Sequence, residues 1–257
     1  MSSEIVKVAE LIASSRGNVV LFTGAGISTE SGIPDFRGPK GLWKRISPEI
    51  FSIEFFQEDP DFSWKKYLEE VYVPISRASP NSAHYAAAKL EAGGLVKGVI
   101  TQNIDRLHQK AGSRNVIELH GRFDEVQCLR CSFRGDLKKF VEEVKKSEKA
   151  PRCPRCSSIL KPAVVYFGEP LPEKELLDAL SMARSSSLLI IIGTSLAVYP
   201  AALIPQEAIR TGAKAVVIND SPTPIDGKAE LVVRRKAGEI LPEVAKMLVV
   251  EKNEETA

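Results

Sequence analysis

A chain of 257 residues has room for one large domain, or for one domain with a small module attached. Its formal net charge of +2 gives no reason to expect a nucleic-acid partner, and its apolar runs are too short for a membrane-spanning helix. The first residues lack a basic stretch followed by an apolar one, so we expect no signal peptide and a cytoplasmic protein. The polar tail at 251–257 is expected to be frayed.

Hydrophobic periodicity and capping signals predict strands that alternate with helices along most of the chain. The predicted helices cover residues 3–15, 82–90, 103–111, 136–148, 172–184, 201–211 and 238–248. The predicted strands cover residues 19–22, 98–101, 115–119, 164–167, 187–192, 214–218 and 231–233. This alternation is typical of an α/β protein with a doubly wound parallel sheet.

Residues 38–80 interrupt the alternating pattern. They contain both tryptophans, Trp43 and Trp64, together with several other aromatic residues and prolines. We therefore expect short helices and loops there, forming an insertion rather than part of the sheet.

Small and polar residues follow several predicted strands directly. These strand ends are 23–26, 101–105, 120–121, 193–195 and 219–220. Because ligands bind outside the carboxyl ends of strands in open α/β sheets, these segments together predict one polar cleft.

The first strand end carries the turn Gly24-Ala25-Gly26, followed by Ser28 and Thr29 at an expected helix start. Glycines permit a close backbone approach, and helix N-termini bind phosphate. The turn is half of a dinucleotide fingerprint, because Thr29 occupies the place of the third glycine. The following stretch, 32–38, adds a rigid turn, a carboxylate, an aromatic ring and a guanidinium, which favours a binding loop.

The histidines differ in their expected roles. His120 follows a strand at the cleft, where a neutral imidazole can act as a general base, although a buried histidine capped by backbone is the alternative. His84 lies in the alanine-rich predicted helix at 82–90 and is expected to be packed or on the surface. For His108 we expect a structural hydrogen bond.

Asn103 and Asp105 are two residues apart at an expected helix start. They can either reach one ligand together or cap the helix, and the spacing does not decide between these roles. The chain has no G-x-S-x-G serine and no P-loop lysine, which excludes the hydrolase elbow and the nucleotide-phosphate hydrolases.

The four cysteines form two C-x-x-C pairs, which predict one zinc ion bound by four thiolates. The ligands would be Cys128, Cys131, Cys153 and Cys156. A closed shell of four thiolates leaves no position for water, so the zinc would be structural. Arginines near the pairs leave nucleic-acid contact by a zinc ribbon as the alternative.

Taken together, these motifs resemble the sirtuin family, the NAD-dependent protein-lysine deacylases. The matching stretches are 24–28, 31–38, 101–105, 107–108, 119–121, the cysteine pairs, 164–169, 193–196 and 236–239. They follow the family order over almost the whole chain. One departure is Arg235, where family members often have glycine.

The resemblance implies a Rossmann-like doubly wound sheet with a small zinc-binding and helical module. The implied divisions are a Rossmann-like domain at 1–37, 81–120 and 163–250, a helical insertion at 38–80 and a zinc module at 121–162. NAD and acyl-lysine would enter the cleft between them from opposite sides.

Carried over by position, the resemblance also implies the residues of each subsite. The NAD site would comprise Gly24, Ala25, Gly26, Ser28, Thr29, Asp35, Phe36, Arg37, Gln102, Asn103, Ile104, Asp105, His120, Gly193, Thr194, Ser195, Asn219, Lys236 and Ala237. An acetyl-lysine peptide would bind as an added strand between two edges that contain Val165, Tyr166, Phe167, Leu196 and Val198.

In the implied reaction, Asn103 and Asp105 hold the nicotinamide while the acyl oxygen attacks the ribose. His120 then takes a proton from the ribose hydroxyls. Nicotinamide, which would also inhibit, leaves with O-acyl-ADP-ribose and free lysine. The alternatives are a protein mono-ADP-ribosyltransferase and a non-enzymatic NAD-responsive zinc protein that binds chromatin.

A further comparison concerns the acyl group. Sirtuins that remove succinyl or malonyl groups have Tyr-x-x-Arg in the helical insertion, and that motif aligns here with Tyr67 and Glu70. A carboxylate in place of the arginine predicts a preference for neutral acyl groups.

Overall fold

The computed structural model describes residues 2–254. Its helices are α1 (Ser3–Ser14), α2 (Ile53–Glu58), α3 (Pro60–Tyr67), α4 (Val73–Arg77), α5 (Ser82–Ala92), α6 (Leu107–Lys110), α7 (Lys138–Ser147), α8 (Glu173–Arg184), α9 (Leu203–Arg210) and α10 (Ala237–Glu254). Its strands are β1 (Val19–Thr23), β2 (Gly98–Thr101), β3 (Val116–Glu118), β4 (Gly121–Cys128), β5 (Arg134–Asp136), β6 (Leu160–Val164), β7 (Leu188–Ile192), β8 (Lys214–Ile218) and β9 (Leu231–Val233).

The larger sheet is parallel throughout, with strand order β3-β2-β1-β7-β8-β9. Counted within this sheet alone, the order is 3-2-1-4-5-6, that of the Rossmann fold. The predicted doubly wound α/β class is therefore confirmed. The order reverses between β1 and β7, so the crevice expected to bind a ligand opens beyond the carboxyl ends of these two strands.

Side chains alternate between two cores along each central strand. In β1, Val19 and Leu21 face a core formed with α1, α5 and α10, whereas Val20 and Phe22 face a second core with α8 and α9. All five residues of β1 are buried, as expected of a strand covered by helices on both faces.

A smaller antiparallel sheet, β5-β4-β6, belongs to a separate core. That core joins the aromatic side chains of the 38–80 insertion to the cysteine segment. The buried Trp64 links the two segments directly, since its indole N–H donates to the Leu160 carbonyl of β6 at 2.8 Å. The insertion at 38–80 and the cysteine segment at 121–162 thus share one hydrophobic core. We call these two segments together the small module.

Several predicted boundaries are wrong. The helix predicted at 103–111 begins only at Leu107, because the Asn103 amide donates to Thr101 Oγ1 and Arg106 has a left-handed φ of 63°. The extended segment predicted at 164–167 lies earlier, in β6. The predicted start of α5 at 82 is right, and its N-cap is Asn81.

The C-terminal helix α10 ends at Glu254, beyond the predicted end at 248. The predicted frayed tail therefore overlaps this helix at 251–254, and its last residues, 255–257, lie outside the described residues. Within residues 2–254, no helix combines the length and the apolarity needed to cross a bilayer.

Candidate active site and zinc site

A cleft of about 240 Å³ separates the carboxyl edge of the parallel sheet from the small module. Some of the predicted site residues line this cleft, namely Ala25, Ser28, Phe36, Arg37, Gln102, Asn103, Ile104, Asp105, His120, Val165, Tyr166, Phe167 and Val198. The others lie outside this cavity: Gly24, Gly26, Thr29, Asp35, Gly193, Thr194, Ser195, Leu196, Asn219, Lys236 and Ala237. One cavity therefore joins the predicted base and nicotinamide pocket to one predicted peptide edge.

The glycine turn after β1 packs against the turn after β7. A Cβ on Gly26 would lie 2.6 Å from the Gly193 Cα, and one on Gly24 would lie 2.7 Å from the Thr194 Cβ. The Gly26 amide also donates to the Gly193 carbonyl at 2.8 Å. The close packing of the turn after β7 thus leaves no room for a side chain at either glycine, whether or not a ligand is bound. The segment that follows, Ala25–Ser31, is a 3-10 helix rather than the α-helix start that the sequence suggested.

A buried polar network lies at the floor of the cleft. Ser28 Oγ donates to Asp105 Oδ2 at 2.6 Å and accepts from Asn103 Nδ2 at 3.1 Å. Burial raises the pKa of Asp105, while the bonds from Ser28 and the Leu107 amide oppose that shift. Asp105 thus accepts from the first amide of α6, whose N-cap residue is Arg106, and it also lines the cleft beside Asn103. That the two side chains bind one ligand stays a prediction.

Two histidines support this network from behind. His84 is the third residue of α5, buried, and in a capping box with Asn81, so of the two expected places the packed one is confirmed. His84 Nε2 lies 3.5 Å from Ser28 Oγ. His108 Nε2 lies 3.0 Å from Thr23 Oγ1, which is the structural hydrogen bond expected for it. Burial lowers the pKa of His84 to about 4 and that of His108 to about 3.

His120 is held in one tautomer. Its Nδ1 lies 2.7 Å from the Gln102 carbonyl oxygen. Since a carbonyl only accepts, Nδ1 must carry the proton, which leaves Nε2 with a lone pair and without a partner among the described residues. Burial lowers the pKa of His120, with a partial offset from the Gln102 bond. A neutral, oriented imidazole of this kind can accept a proton at neutral pH.

The binding loop after the 3-10 helix is ordered by its own side chains. Asp35 Oδ1 accepts from the Gly38 amide at 3.0 Å, and the Phe36 ring lies 5.0 Å from the Trp43 ring. This brings Phe36 and Arg37 to the cleft. At the reversal of strand order, Gln102 Nε2 donates to Thr194 Oγ1 at 2.9 Å.

The two predicted peptide edges differ in their free hydrogen-bonding groups. The amides of Val165, Tyr166 and Phe167 donate to the His120 carbonyl, the Glu169 carboxylate and the Phe51 carbonyl. The carbonyls of Tyr166 and Phe167 accept from Glu169 and Ile53. Within 165–167, only the Val165 carbonyl lacks a partner among the described residues. On the other edge, both main-chain groups of Ala197 are unpaired within residues 2–254.

The acyl comparison also finds a structural counterpart, since Tyr67 and Glu70 both line the cleft. The Tyr67 hydroxyl donates to the Phe123 carbonyl at 2.9 Å, so its proton is already used. Glu70 forms an ion pair with Arg45 at 3.2 Å. An acidic acyl group would therefore meet a carboxylate at this wall.

The four cysteine thiols converge, with all Sγ atoms within 4.8 Å of one another. Cys128 and Cys156 are 3.5 Å apart, and Cys131 and Cys153 are 3.6 Å apart. A tetrahedral zinc site with Zn–S bonds of about 2.3 Å requires sulfurs roughly 3.8 Å apart, so this set fits the ion. Main-chain amides within each pair donate to the first thiol, which supports a thiolate.

Fold and site together define an α/β protein of the dinucleotide-binding type with a cysteine-bound metal site in a second module. The model of the Sir2 family matches residues 24–200. The chain therefore belongs to the Sir2 family, the sirtuins, and the resemblance inferred from the motifs is confirmed.

Similar proteins extend over nearly the whole chain. NAD-dependent protein deacetylase 1 of Pyrobaculum aerophilum is 47% identical over 95% of this chain and 94% of its own. The NAD-dependent protein deacetylase of Sulfolobus acidocaldarius is 51% identical over 94% of each chain. A Sir2 structure with a p53 peptide and NAD+ is 41% identical, with a TM-score of 0.87 over 98% of this chain and 99% of that one.

Sequence reasoning left out some residues that shape the site and the bonds that others make. Thr23 and Thr101 belong to two predicted polar strand ends, but their part in the floor network, through a 2.8 Å hydrogen bond between their hydroxyls, was not predicted. The spacing of Asn81 and His84 is that of a capping box and could have been found. Lys161 gave no signal, because a lone lysine in a strand is ordinarily exposed.

Proposed function

We propose that this chain is an NAD-dependent protein-lysine deacylase, which removes acetyl and other neutral acyl groups and releases nicotinamide, O-acyl-ADP-ribose and free lysine. The observation that carries the proposal is His120, with Nδ1 bound to the Gln102 carbonyl and Nε2 free at the cleft. The names of the relatives and the peptide and NAD+ in the similar structure support it.

The floor of the cleft fits a nicotinamide carboxamide. Asn103 Oδ1 has no partner among the described residues and can accept an amide proton, while Asp105 lies beside it with one oxygen held by Ser28. NAD supplies an electrophilic ribose carbon and a leaving nicotinamide. Gln102 would contact the nicotinamide ribose, and Phe36 would cover it and exclude water. Thr194, Ser195, Asn219 and Ala237 would hold the adenosine half.

His120 Nε2 takes the proton from a ribose hydroxyl, so that the hydroxyl oxygen can attack the activated acyl group. The neutral ring needed for this step is favoured by burial, which lowers the pKa of His120. A base in such a position contributes ~10²–10⁴-fold to the rate.

The substrate would bind as an extended segment between 165–167 and 196–198. The free Val165 carbonyl can accept from the side-chain amide of an acyl-lysine, and the unpaired groups of Ala197 can pair with the peptide main chain. This mode recognises main chain rather than sequence.

Further parts of the proposal concern the rest of the chain. We assign the Rossmann-like domain to 1–37, 81–120 and 163–250, with the insertion and zinc segments at 38–80 and 121–162. The zinc is structural, nicotinamide inhibits as product, direct nucleic-acid binding is not part of the function, and the site of action is cytoplasmic.

Mass spectrometry of an acetyl-lysine peptide after incubation with NAD tests the proposal. We expect loss of the acetyl group and formation of O-acetyl-ADP-ribose, and neither product with His120→Ala. ADP-ribose added to the peptide, or an unchanged peptide with the zinc-loaded protein, would contradict deacylation.

A further inference from the structure

A buried ion pair lies directly behind the wall of the cleft. The Lys161 side chain is completely buried, and its Nζ lies 2.9 Å from Glu169 Oε2. The same ammonium donates to the carbonyls of Pro162 at 3.1 Å and Val164 at 2.5 Å. It also lies 4.0 Å from the centre of the Tyr166 ring. Lys161 therefore has all three of its protons directed to acceptors.

Stability alone is a poor explanation for this pair. Removing two charges from water costs more than their attraction returns in many proteins, and apolar replacements are often neutral or stabilising. The pair also lies at the substrate cleft, since Glu169 and the neighbouring Val164 both line the cavity.

The two charges instead fix the main chain between them. Glu169 Oε2 accepts from the Tyr166 amide at 2.7 Å, and Lys161 occupies the Val164 carbonyl. The Val165 amide is bound to the His120 carbonyl at 2.9 Å. As a result, the ion pair closes the turn on both sides of Val165, and within 164–167 the Val165 carbonyl is the one main-chain acceptor without a partner among the described residues.

We propose that Lys161 and Glu169 are positioning residues, which hold the turn so that, of the carbonyls of 164–167, only that of Val165 is offered to the substrate amide. The inference rests on the deacylase function proposed above. Without Lys161, the Val164 carbonyl would be released as a competing acceptor. Without the Glu169 carboxylate, the Tyr166 amide would lose its partner and the turn would open.

The test compares Lys161→Met, Glu169→Met, the double variant and Lys161→Arg, because methionine at 169 removes the acceptor of the Tyr166 amide, which glutamine would keep. We expect each of the first two to raise the KM for an acetyl-peptide about tenfold, the effect of one lost charge-assisted hydrogen bond, with the KM for NAD within twofold. Lys161→Arg should restore a near-normal peptide KM, since it keeps the charge. The double variant should show less than the product of the single effects, because the two residues act on one turn.

The exposed pair Lys174–Asp178, with an N–O distance of 2.6 Å, provides the matched control. Lys174→Met should leave both KM values unchanged. Hydrogen exchange at the Tyr166 amide provides a readout that needs no activity, and it should accelerate at least tenfold in Glu169→Met, which has no acceptor for that amide.

A folded double variant with a normal peptide KM and normal exchange at Tyr166 would overturn the proposal. Equal rises in the KM for NAD and for peptide would also overturn it, because they would indicate general loosening. If exchange at Tyr166 accelerates but the unaltered protein has no deacylase activity, then Lys161 and Glu169 do hold the turn, and it is the proposed function that is wrong.

Discussion

The floor and the wall of the cleft are built in different ways. The floor is a set of strand ends, where Ser28, Asn103 and Asp105 bond to one another above a sheet buried on both faces. The wall belongs to the small module, whose core combines an insertion with a distant segment that carries the thiols. The comparison assigns the proposed chemistry to the edge of the sheet, and the proposed acyl contact of Glu70 and the four converging thiols to the small module.

Loss of zinc should separate the two regions most clearly. Cys128→Ser should weaken metal binding and unfold the small module, because the energy of binding at such a site is folding energy. Cys128 and Cys153 lie in the same core as Trp64 and Tyr67, so the insertion should unfold as well. Hydrogen exchange should show lost protection at 42–77 and 121–164 with protected β1 and β7, and activity should be lost.

The outcome against this picture would be a metal-free protein that is folded and fully active. Ser132→Ala, which changes a hydroxyl between the cysteine pairs without removing a ligand, serves as the control and should retain metal and activity.

Removal of the base should affect the chemistry and spare both regions. His120→Ala loses one hydrogen bond from a half-buried side chain, so the melting temperature should stay within a few degrees while deacylation falls at least ~10²-fold. Calorimetry and single-turnover kinetics measure the two effects. Near-normal turnover would show that His120 is not the base, and an unfolded variant would show a structural role.

A substitution in the wall should change which acyl group is accepted. The unaltered protein should prefer acetyl over succinyl by at least ~10-fold in kcat/KM, since a missing charge-assisted pair costs about 1.5–3 kcal/mol. Glu70→Arg should improve desuccinylation with an unchanged fold, because it replaces the carboxylate beside the cleft with a cation.

The neighbouring Glu69→Arg is the matched control, because Glu69 pairs with Lys66 and does not line the cleft. It should leave the preference unchanged. Efficient desuccinylation by the unaltered protein would refute the assignment of Glu70 to the acyl wall.

The smallest expected effect is a pH dependence of stability that arises behind the floor. The pKa of His84 is about 4 in the folded protein and near ~6.5 when unfolded. Between these two pKa values the unfolded chain binds more protons than the folded protein. The contribution of His84 to the free energy of unfolding is therefore fully present above pH ~6.5 and declines as the pH falls toward 4, by up to about 1.4 kcal/mol per pH unit. Urea unfolding from pH 7 to 5 should show a shallower decline in His84→Asn.

Tyr85→Asn, an exposed change on the same helix, should leave the slope as it is. An unchanged slope in His84→Asn would contradict the assignment of a buried, neutral imidazole to His84.

The sequence predicted the floor better than the wall, for physical reasons. The apolar runs of β8 and β9 were located without error, and the polar residues after the strands came together as the parallel sheet requires. The small module was harder, because Trp64 meets Leu160 only through a core that joins distant segments. Residues 103–106 were mistaken for helix, because α6 begins four residues later than predicted, where Asp105 accepts from its first amide. The burial of Lys161 and its pairing with Glu169 could not be predicted, because they are visible only once the fold is known.

The acceptor that orients His120 is the main-chain carbonyl of Gln102, and no side-chain substitution at 102 can delete it. The tautomer of His120 thus depends on the backbone conformation after β2 and not on which side chain occupies position 102. Sequence drift at 102 would alter the contact with Thr194 while the imidazole kept its proton on Nδ1. The catalytic orientation is therefore more robust to mutation than the binding contacts around it.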